Sequence, residues 1–256
     1  MSDFKLPEGK HQPRTKLSQS RYMVAGPPGI GKTFFASQWP NALFLATEPG
    51  AHLMSVAEGE IRSWDAFNSA MDKLEYTKHP YRTVIIDTVD NLYFRCVEHV
   101  CRELGVKHVS DAPYKGWEVL KLTWTEGIHR FASLKNKEGE QICPLFIGHT
   151  KSVPARERVD GRMIETGAMI QSSNLPGTGR GILHSAIDFL FGVHMDNDGK
   201  RWLITQPTEL NGILYDAKGR GTPDQMLPAK IPMTFTALND SFKEVFGGTN
   251  NGESNV

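Results

Sequence analysis

Residues 26–33 read Gly26-Pro27-Pro28-Gly29-Ile30-Gly31-Lys32-Thr33 and fit the pattern GxxxxGK[ST]. Each fixed position has a mechanical job. Glycine lets the backbone curl until successive N–H groups face one anion, and the lysine and hydroxyl complete a phosphate cradle. With glycine at about 7% of residues, a chance match in a chain of this length has a probability on the order of one per cent. Context lowers it further. Arg21-Tyr22-Met23-Val24-Ala25 reads as a strand, and Phe34-Phe35-Ala36-Ser37-Gln38-Trp39 as a helix that stops before Pro40. That order places a helix N-terminus, with its unpaired N–H groups and positive dipole end, beside the phosphates. The implied ligand is a nucleoside triphosphate, ATP, with Mg2+. Gly26, Pro27, Pro28, Gly29, Ile30, Gly31, Lys32, Thr33 and Phe34 are its candidate contacts.

Outward from the loop, apolar runs alternate with helical stretches. Asn41–Ala46, Thr83–Ile86 and Leu145–Gly148 read as buried strands, and Trp64–Tyr76, Asp90–Leu104 and Gly116–Leu134 as helices. Short continuous apolar strands separated by helices predict an α/β domain, a mostly parallel central sheet with helices on both faces. Residues 151–181 break the pattern with glycines, prolines and arginines, and predict a long mobile loop. Ala186–His194 and Lys200–Thr205 around Asp196-Asn197-Asp198-Gly199 predict a C-terminal β-hairpin. The expected organisation is a flexible basic arm over 1–20, one ATPase domain over 21–246 and a disordered tail over 247–256.

The 256 residues suffice for one large domain with a full core, and Lys plus Arg balance Asp plus Glu at 29 each. This balance argues against a protein basic all over, and leaves room for nucleic-acid binding through one local segment. Cys96, Cys101 and Cys143 form neither a CxxC pair nor a zinc constellation, so they read as reduced core thiols. No stretch approaches the roughly 18 apolar residues of a membrane span, and the start lacks an apolar signal region. The expectation is a cytoplasmic protein with no membrane partner.

Within the site, Lys32 is expected to reach the β and γ phosphates and Thr33 to ligate Mg2+. Asp87 ends the apolar run Val84-Ile85-Ile86, at the sheet edge where open α/β folds bind ligands, and reads as the second metal-holding group. Glu48, just past the strand ending at Ala46, reads as the catalytic carboxylate that positions or deprotonates water. Asp90 competes for that role or caps the next helix. His149, at the end of the strand before the 151–181 segment, reads as the group that senses the γ phosphate.

Together, the GPPGIGKT loop, the Ala46-Thr47-Glu48-Pro49-Gly50 turn, the Val84–Thr88 and Ile147–Lys151 strand ends and Asp216–Arg220 resemble the RecA-like core ATPases. More narrowly they resemble the phage-encoded Sak single-strand annealing group, over roughly Arg21 to Pro232. The resemblance implies a catalytic role for Glu48, nucleotide-to-DNA coupling at His149, and Lys218 and Arg220 reaching a neighbouring subunit's nucleotide in a ring or filament. It also implies a bacterial host carrying the phage or prophage. The 256 residues are much shorter than bacterial RecA, and neither a separate C-terminal domain nor a zinc module of the RadA type is expected within them.

DNA contact falls on the segment after His149, where Lys151, Arg156, Arg158, Arg162 and Arg180 can neutralise phosphates. Between Lys151 and Arg180 no aromatic residue offers a stacking surface, so binding there is expected to follow the backbone rather than the bases. The expected function is ATP-dependent binding of single-stranded DNA for annealing or recombination, with a single-strand-binding protein as a further partner. A helicase-like motor or loader and a slow nucleotide-gated partner-binding module are the alternatives that the same core supports.

Overall fold

Side chains alternate across a strand, so a run of apolar residues with no polar alternation must bury both faces. Tyr22–Gly26 and Thr83–Asp87 do so, every residue being buried. The computed structural model describes residues 6, 8–9, 13–50, 54–112, 115–159 and 161–247. Its strands are β1 (Tyr22–Gly26), β2 (Ala42–Ala46), β3 (Ala57–Glu60), β4 (Thr83–Asp87), β5 (Cys143–Val159), β6 (Arg162–Ser173), β7 (Phe189–Met195), β8 (Arg201–Ile204), β9 (Thr208–Leu210), β10 (Ile213–Tyr215) and β11 (Lys230–Pro232). Its helices are α1 (Lys32–Ser37), α2 (Trp64–Tyr76), α3 (Val89–Leu104), α4 (Lys115–Ala132), α5 (Gly177–Ala186) and α6 (Phe235–Phe246).

The main sheet runs β11-β8-β7-β1-β5-β4-β2-β3. Pairings from β7 through β3 are parallel, and β8 and β11 add antiparallel edge strands. Two cores result. Met23, Ala25, Val84, Ile86 and Phe146 pack with side chains of α2, α3, α4 and α5, while Tyr22, Val24, Ile85, Leu145 and Ile147 pack with those of α1 and α6. The expected mostly parallel sheet with helices on both faces and a β7–β8 hairpin is the observed fold. The three cysteines are free and buried, and burial pushes the Cys96 thiol up to about 12.

The segment from 151 to 181 differs from the expected irregular loop. β5 continues beyond the sheet to Val159 and pairs antiparallel with β6, followed by α5. Val159 lies opposite Arg162, and Gly161 at φ +80° serves the reversal. β6 is paired on its other side by β10, so the ribbon's root is flanked by a small sheet.

The 1–20 arm also differs from expectation near its end. Leu17 is buried in the core, its carbonyl accepts a 2.8 Å hydrogen bond from the Tyr22 hydroxyl, and Arg14 pairs with Asp188 at 3.0 Å. Packing therefore begins before Arg21. Residues 1–5, 7 and 10–12 of the arm and 248–256 of the tail lie outside the described residues.

Gly127 of α4 lets that helix pack closely on Trp64 at the start of α2: an added Cβ would lie 2.4 Å from the Trp64 ring. Gly127→Ala is expected to destabilise the protein by about 2 kcal/mol net, because overpacking against a buried ring outweighs the gain of about 1 kcal/mol in helix propensity. Urea denaturation reads this as a lowered midpoint at unchanged slope; an unchanged midpoint contradicts the packing described.

Candidate functional site at the carboxyl edge of the sheet

The parallel register lines up the site. Gly26 is opposite His149, Ile147 opposite Asp87, and Asp87 opposite Ala46, with Glu48 two residues beyond. Four strand ends therefore deliver the glycine loop, His149, Asp87 and Glu48 to one edge, as open parallel sheets do for ligands.

In the loop, Gly26 is needed because an added Cβ would sit 3.0 Å from Val193 Cβ, and Gly31 because its φ is +99°. Lys32 and Thr33 open α1, whose N-terminal N–H groups face the bend. Lys32 Nζ donates to the carbonyls of Gly26 and Pro27, both at 2.9 Å. Burial lowers its pKa, opposed by the nearby carboxylates of Asp87, Asp90 and Glu48. Phe34 is exposed.

The Thr33 hydroxyl donates to Asp87 Oδ2 at 2.8 Å, so the two expected metal ligands are in contact. Gly50 stands over them: an added Cβ would come 3.8 Å from Asp87 Oδ2 and 4.0 Å from Thr33 Oγ1. Among the described residues no cluster of three His, Cys, Asp or Glu forms a protein-only metal cage. A hydroxyl, one carboxylate and space beside a phosphate cradle fit Mg2+, which keeps waters and takes phosphate oxygens.

Glu48 and His149 meet across β4. His149 Nε2 lies 3.9 Å from Glu48 Oε1, and Asn91 Nδ2 donates to Glu48 Oε2 at 2.6 Å. Thr47 fixes the turn before Glu48: its hydroxyl donates to Thr88 O and accepts from Thr88 N, each at 2.8 Å. Asp90 does not cap α3. Its Oδ2 accepts the backbone N–H of His149 at 2.6 Å and lies 3.6 Å from His149 Nδ1, fastening β5 to α3 where the strand leaves the sheet. The Asp90 Oδ1 atom is buried with no hydrogen-bond partner.

Lys218 and Arg220 are not brought to this edge. Lys218 lies beside Leu190 near the start of β7; its Nζ donates to the carbonyls of His184 and Ile187. Arg220 Nε lies 3.5 Å from Asp188 Oδ1. Burial raises the Asp188 pKa, but the Arg21 guanidinium, bonded to both carboxylate oxygens at 2.8–2.9 Å, overrides this and holds it below the usual range. The pair thus belongs to an ion cluster at the opposite edge from its own phosphate loop.

Of the candidate DNA contacts, Lys151, Arg158 and Arg162 are exposed on the ribbon, while Arg180 is half-buried in α5 and its guanidinium donates to Ser172 Oγ. Arg156 lies opposite Glu165 along the ribbon; its side chain lies outside the described residues. The sequence reading did not single out Asn91, Thr47 and Arg201. Asn91 follows Asp87 by four residues on the helix after the strand, a spacing readable in advance, whereas Arg201 reaches the loop only through sheet topology.

Burial raises the pKa of Asp87, with Glu48 adding to it against the Thr33 hydrogen bond, and burial likewise raises that of Asp90. A carboxyl whose folded pKa exceeds its unfolded one binds its proton more tightly in the native state. Ionisation then penalises folding above the raised value, and the penalty vanishes below the unfolded value near ~3.9. Asp87→Asn is therefore expected to raise the melting temperature at neutral pH in metal-free buffer, by the few degrees that about 1 kcal/mol represents. The gain should shrink as pH falls through the raised folded pKa. A melting temperature lowered at neutral pH would contradict this electrostatic account.

The family model described as AAA domain, AAA_24, matches residues 18–220. No curated protein matches the chain. The matched span includes the glycine loop, Glu48, Asp87, His149 and the ribbon, and it ends at Arg220. The chain belongs to the AAA_24 family and is a P-loop ATPase of the AAA type.

Proposed function

We propose that this ATPase is RecA-like, of the phage Sak-type annealing group, and that it holds single-stranded DNA on the β5–β6 ribbon during annealing or recombination. The observation that carries the reading is the continuity of β5. One strand runs from the sheet core at Cys143, past His149 beside Glu48, to Val159 near the ribbon tip. A change at the phosphate edge would reach the ribbon along this backbone, which stays in one strand although its pairing with β6 shifts register between Pro154 and Arg156.

In this reading Lys32 binds the β and γ phosphates, and Glu48, oriented by Asn91, positions and deprotonates the attacking water. Thr33 and Asp87 hold Mg2+, which when bound neutralises charge on the phosphate oxygens. His149, tied to Asp90, reports the state of that edge to β5. On the ribbon, Arg158 pairs opposite Met163 and Arg162 opposite Val159, so the two cations stand on opposite faces and can track a flexible phosphate backbone. The proposed role of Lys218 and Arg220 is in trans, toward a neighbouring subunit of a ring or filament, since both lie away from their own loop. A single-strand-binding protein is the further proposed partner. Among the described residues no helix is long and apolar enough to cross a membrane.

ATP turnover measured with and without single-stranded DNA tests this. Turnover is expected to rise with DNA and to fall by about 100-fold or more in Lys32→Ala and Glu48→Gln. The double variant Arg158→Ala, Arg162→Ala should retain basal turnover, lose DNA stimulation, and flatten the salt dependence of DNA binding by roughly one to two units of slope. DNA that neither binds nor changes turnover at low salt overturns the DNA role.

A further inference from the structure

The hairpin β7–β8 carries a cation onto the phosphate loop. Arg201 opens β8 opposite Met195, and its backbone carbonyl accepts the N–H of Met233 at 3.0 Å. The strand is fixed on both sides, by β7 and β11. The preceding turn is held by Asp196, whose carboxylate accepts from the backbone N–H groups of Asp198 and Lys200 and from Trp202 Nε1 at 2.8 Å. Trp202 and Arg201 alternate in direction, so the side chain of Arg201 leaves the hairpin on the face opposite Trp202.

That direction brings it to the loop. A Cβ built on Gly31 would lie 3.4 Å from Arg201 Cδ and Nε and 3.6 Å from Cζ. The guanidinium therefore lies against the backbone of the residue before Lys32. Among the described residues it makes no ion pair and no side-chain hydrogen bond, and it is exposed. By contrast, Arg14, Arg21, Arg62, Arg82, Arg102 and Arg130 all pair with carboxylates. A guanidinium presents a planar fork of donors matched to phosphate oxygens, and it stays charged at every working pH.

We propose that Arg201 is a nucleotide-binding residue acting within its own subunit, its guanidinium contacting the polyphosphate held in the Gly26–Thr33 loop. The proposal rests on the reading of that loop as an ATP site. It gives each subunit two cations at the cradle, Lys32 from the loop and Arg201 from the hairpin, and links nucleotide occupancy to the β7–β8 edge of the sheet. Selectivity follows, because a second cation adds most where the ligand carries most phosphate charge.

The test is a titration of the full chain with Mg-ATP, inorganic tripolyphosphate and adenosine, comparing wild type with Arg201→Ala, Arg201→Lys, Lys200→Ala and Lys32→Ala. Arg201→Ala is expected to weaken ATP and tripolyphosphate by a similar factor of about tenfold or more. Arg201→Lys should recover part of the loss, and Lys200→Ala, an exposed turn cation, should change nothing. Because Arg201 is exposed, thermal midpoints should match, which separates binding loss from unfolding. Unchanged ATP affinity in Arg201→Ala overturns the proposal, as does a loss seen with ATP but not with tripolyphosphate, which would place the contact on the nucleoside. If wild type binds neither ATP nor tripolyphosphate, as Lys32→Ala is expected to do, the ATP-site reading itself fails and takes the proposal with it.

Discussion

β5 is hydrogen-bonded in parallel register to β1 on one side and to β4 on the other, and the convergence of the glycine loop, His149 and Asp87 follows from that pairing. The glycine loop leaves β1 and Asp87 ends β4, so the strand between them must end where the phosphate and metal groups converge. Gly148 allows the close fit: an added Cβ would lie 2.6 Å from Met23 Cε and 3.4 Å from Val89 Cγ1. A side chain there would have to displace the end of Met23 and would crowd Val89 and Asp90, whose carboxylate accepts the His149 N–H. Because β5 does not stop at the sheet edge, the same backbone continues as one leg of the ribbon.

The two edges of the sheet carry opposite electrostatics. At the carboxyl edge, Asp87 and Asp90 are buried near Glu48, and their carboxyl pKa values are raised, chiefly by desolvation. Desolvating two carboxylates at one edge costs folding free energy, as is common at functional sites. At the amino edge, Asp188 is surrounded by Arg14, Arg21 and Arg220, and its depressed pKa marks a carboxylate that contributes to folding. The first cluster suits polyphosphate chemistry, and the second ties β1, β7 and the segment around Arg220 together.

Much of this was readable in the residues. Continuous apolar runs can satisfy their burial only in a two-sided sheet, and so β1, β2, β4 and their helices emerge from the pattern with small shifts at their ends. The glycine loop, Glu48, Asp87 and His149 follow because strand ends in a parallel sheet share one edge. The ribbon was less legible: Glu157, Asp160, Arg158 and Arg162 break any apolar alternation, and Gly and Pro suggest a loop. Yet Asp-Gly at 160–161 is hairpin chemistry, and strand partners can supply the hydrogen bonds that side chains do not advertise. Lys218, Arg220 and Arg201 lie beyond pattern reading. Which cation meets the loop depends on whether β7 or another strand flanks β1, a matter of topology and not of local spacing.

Coupling of the phosphate edge to the ribbon through β5 is open to hydrogen–deuterium exchange at the β5 and β6 amides. With Mg-ATP added to the full chain in the absence of DNA, exchange is expected to change both at His149 and Thr150 and along the ribbon from Lys151 to Ser173, with Glu48→Gln holding the ATP-bound pattern. A change confined to the glycine loop and α1, with ribbon amides exchanging at the same rate with and without nucleotide, would contradict it.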